Sequence, residues 1–322
     1  MRIVYFCKGG RGANCLEALL QSHQFPELIV VQPQHGKPWF QAVLSLADAH
    51  GIPYILPDDP NAEDVERAVR ELQPDLLVLA GYGKILKENI LRIPARVCIN
   101  LHGGKLPKYR GSSPMNWALI NGEESFSLSI IEVVPEIDAG GILLEREFDI
   151  SPKDTICDLH KIANREFPQM LLETIRRIED GSCVSAPQVE ENASYYPLRF
   201  PDDGLILWDQ LSANQVHNRV RALADPYPGA FTFFQGRRVK LLASELHGGD
   251  YFGEPGRVYR KSRQHGLLVC ANDKCLWIKE AVVEGEPLSL YDLIDCYGRL
   301  ITVHESITNG LLAQFHESYV SP

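Results

Sequence analysis

Leu76-Leu77-Val78-Leu79-Ala80 runs for five residues without a polar side chain. A strand with one wet face alternates apolar and polar residues. An unbroken apolar run of this length therefore predicts a strand buried on both faces, as in a parallel sheet covered by helices. The flanks repeat the theme. Ile3–Cys7 is followed by a helix-period segment over Ala13–Gln21, Leu28–Val31 by Pro38–His50, and Tyr54–Leu56 by Glu63–Leu72. After the opening run comes a short segment ending at Leu91, then Val97–Leu101. Strands separated by helical segments predict an α/β fold with a mostly parallel, Rossmann-like sheet. Ser127–Val134 and Gly141–Phe148 read as two more strands around a turn at Pro135–Gly140, and Asp154 to Ile178 reads as a long helix stopped by Asp180-Gly181.

Beyond that helix the pattern loosens. Residues 182–203, with Pro187, Pro197 and Pro201, read as a linker. A helix over Ser212–Ala224, with Ser212 as its cap, ends at Asp225-Pro226-Tyr227-Pro228-Gly229. Short β-type runs follow at Phe231–Phe234, Val239–Ala243, Gly256–Tyr259, Leu267–Cys270 and Cys275–Lys279, predicting a small β-barrel resembling an oligonucleotide-binding fold. The expected organisation is a first domain over 1–181, the linker, and a β domain with a tail over 204–322. Trp208, Trp277, Phe233 and Phe234 read as core or interface rather than as a stacking platform. The tail's apolar residues (Leu290, Leu293, Leu300, Ile301, Leu311, Leu312) suggest no role.

The 322 residues are 45% hydrophobic and 23% charged, an ordinary globular make-up with no apolar run long enough for a membrane span. The N-terminus reads as a strand rather than a signal peptide. Eight scattered cysteines without a CxxC pair predict reduced thiols in a cytoplasmic setting, with no disulfide framework and no metal site. The formal net charge is −10, and from Pro201 onward 12 Lys/Arg face 15 Asp/Glu. That balance argues against attraction to nucleic acid, a local basic patch aside.

Three segments carry polar chemistry. In Lys8-Gly9-Gly10-Arg11-Gly12-Ala13-Asn14 the glycines let backbone N–H groups approach an anion, with Lys8 and Arg11 as assisting charges. A tight turn that binds nothing would look the same. In Ile99-Asn100-Leu101-His102 the two polar residues are two apart at the end of a buried strand and share a face. An amide beside an imidazole suits acyl transfer, although loop backbone could equally satisfy both. Asp138, before Ala139-Gly140-Gly141, is either a third functional group or an ordinary turn carboxylate.

Taken together, Asn100-Leu101-His102, Leu106-Pro107-Lys108-Tyr109-Arg110-Gly111, Pro114 and the later Asp138-Ala139-Gly140-Gly141 resemble the folate-dependent formyltransferase family. That family includes methionyl-tRNA, glycinamide ribonucleotide and sugar N-formyltransferases. Likeness continues through Met115–Glu123, Phe200–Trp208 and Val216–Phe231, where it is nearest to the formyltransferase half of the aminoarabinose-pathway enzyme. The resemblance implies an enzyme using 10-formyltetrahydrofolate, with Asn100, His102 and Asp138 as catalytic group. Asn100 and His102 would hold the developing oxyanion, and Asp138 would orient His102 and take the amine proton. It also implies a pterin pocket lined by Tyr82, Gly83, Lys84, Ile85 and Leu86 with Asp138, Ala139, Gly140 and Gly141. Lys8, Gly9, Gly10, Arg11, Gly12, Lys105, Tyr109 and Arg110 would face the acceptor, and the chain would form a homodimer. Gly103-Gly104-Lys105 departs from the family, which usually has a small residue, Ser and a hydrophobe there. The glycine-rich first loop resembles that of the glycinamide ribonucleotide enzymes. With the acidic balance, these features make a nucleotide-linked amino sugar the expected acceptor, in lipopolysaccharide or O-antigen biosynthesis. Methionyl-tRNA is the alternative, and glycinamide ribonucleotide fits less well because its enzyme needs no second domain of this kind.

Overall fold

The computed structural model describes residues 1–285, 289–301 and 308. By packing, the chain divides into two compact units. Residues 1–114, 125–149 and 159–197 make the first; residues 115–124, 150–158 and the described residues from 198 onward make the second.

The first unit is built on a seven-stranded sheet. Its strands are β1 (Ile3–Cys7), β2 (Leu28–Val31), β3 (Tyr54–Ile55), β4 (Leu76–Ala80), β5 (Val97–His102), β7 (Ser125–Glu132) and β8 (Ile142–Asp149), in the order β3-β2-β1-β4-β5-β7-β8. The first five are parallel; β7 runs antiparallel to β5, and β8 antiparallel to β7. Every residue of β1 and β4 is buried, as the unbroken apolar runs require. Helices α1 (Gly9–Gln21), α2 (Pro38–His50), α3 (Glu63–Glu71) and α4 (Glu88–Leu91) connect the parallel strands. Pro38 opens α2 and Gly51, at φ +64°, closes it. Glu63, Asp64 and Glu66 favour the start of α3 by complementing the helix dipole. The long helix α6 (Ile156–Asp180) lies in this unit from Leu159 onward.

Residues 182–197 do not behave as the expected linker. Ala186 exchanges backbone hydrogen bonds with Ile142, and β9 (Tyr195–Tyr196) pairs in parallel with the two-residue strand β6 (Arg110–Gly111). Backbone pairing here comes from partners distant in sequence, which a Pro-rich composition does not reveal.

The second unit carries a five-stranded antiparallel sheet in the order β10 (Ala230–Phe234), β11 (Arg237–Leu246), β14 (Cys275–Val283), β13 (Gly266–Cys270) and β12 (Val258–Ser262). Helix α7 (Ala213–Ala222) has the expected Ser212 cap: Ser212 Oγ accepts from Gln215 N at 3.2 Å, and Gln215 Oε1 accepts from Ser212 N at 2.9 Å. Its apolar face, with Val216 and Val220, packs with Trp208, Val239, Leu241 and Ile278. Trp208, Trp277 and Phe234 are buried, and Trp208 Nε1 donates to Thr232 Oγ1 at 2.9 Å. Helix α5 (Pro114–Asn121) belongs here because Asn116 Nδ2 donates to Ala222 O, and residues 150–158 because Arg221 donates to Ser151 and Asp154 carbonyls. The short α8 (Leu290–Leu293) buries Leu290 in the same core; Leu311 and Leu312 lie outside the described residues.

Cys7, Cys15, Cys98, Cys157, Cys183 and Cys296 are free thiols. The β13–β14 hairpin sets Cys270 and Cys275 directly opposite each other.

Candidate active site

In a parallel sheet the crevice lies at the carboxyl ends of the strands, where neighbouring connections leave in opposite directions. Here the chain turns from β1 toward β2 on one side and continues from β4 to β5 on the other. The ends of β1, β4 and β5 carry Lys8–Gly12, Gly81–Leu86 and Asn100–His102.

Asn100 and His102 project to one face of β5, and the loop leaving β7 folds back to bring Asp138 against both. Asn100 Nδ2 donates to Asp138 Oδ1 at 3.4 Å, and His102 Nδ1 lies 3.5 Å from Asp138 Oδ2. Gly111 N donates to the same Oδ2 at 2.8 Å. The side chains of His102 and Asp138 are 5% and 14% exposed, so the carboxylate is largely screened from water and accepts from two donors, Asn100 Nδ2 and Gly111 N. Asp138 has φ +50°, a left-handed conformation uncommon for a residue with a side chain.

His102 Nε2 is 2.6 Å from Tyr109 O. A carbonyl only accepts, so this nitrogen carries the hydrogen and its direction is fixed. This differs from the expectation that His102 donates to an oxyanion: one ring nitrogen faces Tyr109 and the other faces Asp138. The unusual Gly104 follows from the same contact. A Cβ there would lie 2.7 Å from His102 Nε2, 2.7 Å from Tyr109 O and 2.8 Å from Pro114 Cβ. Gly140 and Gly141 are likewise held by close approach, since a Cβ would strike Glu132 O or Ser185 Oγ.

The Tyr82–Leu86 segment leaves β4 without regular structure. Tyr82 and Leu86 are buried in the core, Gly83 N donates to Gln32 Oε1 at 2.9 Å, Lys84 Nζ donates to Asp58 O, and Ile85 is exposed. The Tyr82 hydroxyl is buried without a hydrogen-bond partner among the described residues. Burial, with Cys7 and Asp59 adding to it, holds that hydroxyl far above the usual phenol range.

The expected acceptor group is only partly presented. Gly9–Gly12 form the first turn of α1 rather than a loop before it, and a Cβ on Gly12 would crowd Cys7 and Ala80. Lys8 stands at the crevice beside Gly83, where a Cβ would be 3.5 Å from its Nζ. Arg11 donates to Leu101 O at 3.1 Å and lies over the Phe167 ring. Burial, and secondarily Arg11, push the neighbouring His160 down to about 4. Lys105 pairs with Glu147, and Tyr109 is buried in a stack on Tyr196 at 4.9 Å. Arg110 is 0% exposed and its guanidinium is taken up by Gln188, Glu190 and Tyr195. Its assignment to the acceptor is corrected: no edge of this cation faces solvent. Gln188, Glu190 and Tyr195 escape sequence reading because they sit in a stretch whose composition suggests a linker.

No helix among the described residues is long and apolar enough to cross a membrane. Residues 1–175 match the Formyl transferase family and residues 200–295 the Formyl transferase, C-terminal domain family. A curated methionyl-tRNA formyltransferase from Acetivibrio thermocellus is 34% identical over 286 residues, covering 87% of this chain and 91% of its own. Another from Desulforamulus reducens is 32% identical over 291 residues, covering 88% and 91%. In structure, an N-formyltransferase from Helicobacter canadensis, solved with folinic acid and dTDP-3-aminofucose, matches with a TM-score of 0.69. That match covers 86% of this chain and 98% of the other at 19% identity, a likeness of fold alone.

These relatives overturn the expected nucleotide-linked amino sugar acceptor and its lipopolysaccharide or O-antigen setting. The expectation leaned on summed charge, which does not describe local fields. Arg257, Arg260, Lys261 and Arg263 fall on or beside the edge strand β12, with Arg260 and Arg263 exposed.

Proposed function

The chain belongs to the formyl transferase family, and from that premise we propose that it transfers a formyl group from 10-formyltetrahydrofolate to the amino group of methionyl-tRNA. The observation that carries the acceptor is identity of 32% and 34% with methionyl-tRNA formyltransferases across nearly the whole chain, both domains included. The basic edge at β12 supports the same reading, since Lys and Arg near a surface attract phosphates whatever the total charge.

The first unit has groups suited to a folate. Apart from Gly83 N, which donates to Gln32, and Ile85 O, which accepts from Asn61 Nδ2, main-chain groups of Gly83–Leu86 lie outside the sheet ladder and suit the amide-like edges of a pterin. The Tyr82 hydroxyl stays protonated and can donate. When bound, the folate supplies a formyl carbon activated on nitrogen.

In this reading Asn100 and the Asp138–His102 pair divide the work. Asn100 Nδ2, held at 3.4 Å by Asp138, swings to the formyl oxygen as negative charge develops there. A donor in that position is worth about 3–4 kcal/mol in the transition state. Asp138 accepts the proton that the amine gives up as its nitrogen bonds to carbon, and returns it to the folate nitrogen as the bond between that nitrogen and the formyl carbon breaks. His102 Nδ1 stays beside that carboxylate, and Tyr109 O keeps the ring from turning away. The test is a panel of acceptors offered with 10-formyltetrahydrofolate: methionyl-tRNA, uncharged tRNA and nucleotide-linked amino sugars. N-formylmethionyl-tRNA as product supports the reading; a folded protein that formylates the sugars and leaves methionyl-tRNA unchanged removes it.

A further inference from the structure

We propose that Gln188 and Arg110 brace the Asp138 turn and are positioning residues for formyl transfer. The inference rests on the role given to Asp138 under the proposed function.

Asp138 keeps its left-handed backbone at φ +50° only if its surroundings determine it. Gln188 provides this restraint. Its Nε2 donates to the carbonyls of Asp138 and Gly140, both at 2.7 Å, clasping the turn on either side of Ala139. Its Oε1 accepts from Arg110 Nε at 3.0 Å, so all three polar partners of the side-chain amide lie inside the protein. Arg110 is itself fixed: Nη1 and Nη2 donate to Glu190 Oε1 and Oε2 at 3.0 and 2.8 Å, and Nη1 donates to Tyr195 OH at 2.6 Å. Planar, bidentate pairing of this kind sets direction as well as distance.

The two ends of the brace meet in β6. Gly111 N holds the Asp138 carboxylate, and the adjacent Arg110 side chain holds the amide that holds the Asp138 backbone. Pairing of β6 with β9, and of Ala186 with Ile142, anchors the segment that carries Gln188. Carboxylate position relative to Asn100 and His102 is therefore set by residues that touch no substrate. Misplacement by about 1 Å lowers rates by about 100-fold in positioned reactions.

Gln188→Glu tests the brace. It removes both N–H donors to the turn yet keeps an acceptor for Arg110, so a residue that only secures Arg110 tolerates it. The expected result is kcat lowered about 10- to 100-fold, with KM for methionyl-tRNA and folate changed by less than about threefold. Gln188→Ala combined with Asp138→Asn is expected to be no slower than Asp138→Asn alone, because the brace acts through Asp138. Amide exchange at Ala139–Gly141 is expected to rise at least about tenfold in Gln188→Ala, while exchange in β1 and β4 stays unchanged. Wild-type turnover in Gln188→Glu, or multiplying losses in the double variant, overturns the brace. If the wild type does not formylate methionyl-tRNA, the functional reading fails separately, and the exchange at the turn still decides the brace.

Discussion

His102 Nε2 lies 2.6 Å from the carbonyl oxygen of Tyr109, while its Nδ1 faces Asp138 at 3.5 Å. The ring is thus fixed by the backbone carbonyl on one side and lies beside the Asp138 carboxylate on the other. His102→Asn cannot span both, so kcat is expected to fall about 100-fold in steady-state assays, as when a reacting group is misplaced by about 1 Å. Near-normal turnover in a folded His102→Asn protein would remove His102 from the mechanism.

Gly104 packs directly against the His102 ring, and adding a side chain there is expected to harm this protein. A Cβ would meet His102 Nε2 and Tyr109 O at 2.7 Å, and neither backbone nor ring can yield without breaking their hydrogen bond. Gly104→Ser should lower unfolding free energy by about 1–3 kcal/mol in urea titrations, with a matching loss of kcat. Unchanged stability and rate would show that the loop relaxes freely.

His160 makes stability depend on pH. Burial and Arg11 lower its pKa from 6.5 to about 4, so the folded protein binds this proton less readily than the unfolded chain. The contribution is therefore full above pH 6.5 and declines as pH falls toward 4, by up to about 3 kcal/mol. Urea unfolding at pH 7 and pH 4.5 should show a smaller decline in a folded His160→Gln variant. An equal decline in both would place the acid sensitivity elsewhere.

Arg260 and Arg263 give the acceptor reading a salt signature. Removing one cation that meets a phosphate should flatten the log–log salt dependence of tRNA binding by about one unit. Arg260→Ala and Arg263→Ala are expected to weaken methionyl-tRNA binding and reduce that slope, leaving kcat at saturating tRNA near wild type. Binding with unaltered salt dependence would move the tRNA-binding edge away from β12.

The parallel sheet is legible in the sequence because strands buried on both faces must be apolar throughout, as in β1 and β4. The Asn100–His102 spacing is legible because alternate strand residues share a face. Asp138 can be linked to them through family resemblance, but its φ of +50° and its clasp by Gln188 cannot, since both depend on contacts across 27 to 50 positions. Arg110 misleads for the same reason: a guanidinium in a polar motif suggests an anion, and its partners lie about 80 positions away. The acceptor is misjudged from composition because net charge sums over a whole surface and does not describe a local patch.

Single-turnover formylation of methionyl-tRNA, comparing the wild type with Asp138→Asn and Asn100→Ala, tests the convergence of amide, imidazole and carboxylate most directly. The expected result is rapid N-formylmethionyl-tRNA formation by the wild type and a loss of at least about 100-fold in each folded variant. Transfer at the wild-type rate by folded Asp138→Asn would contradict it.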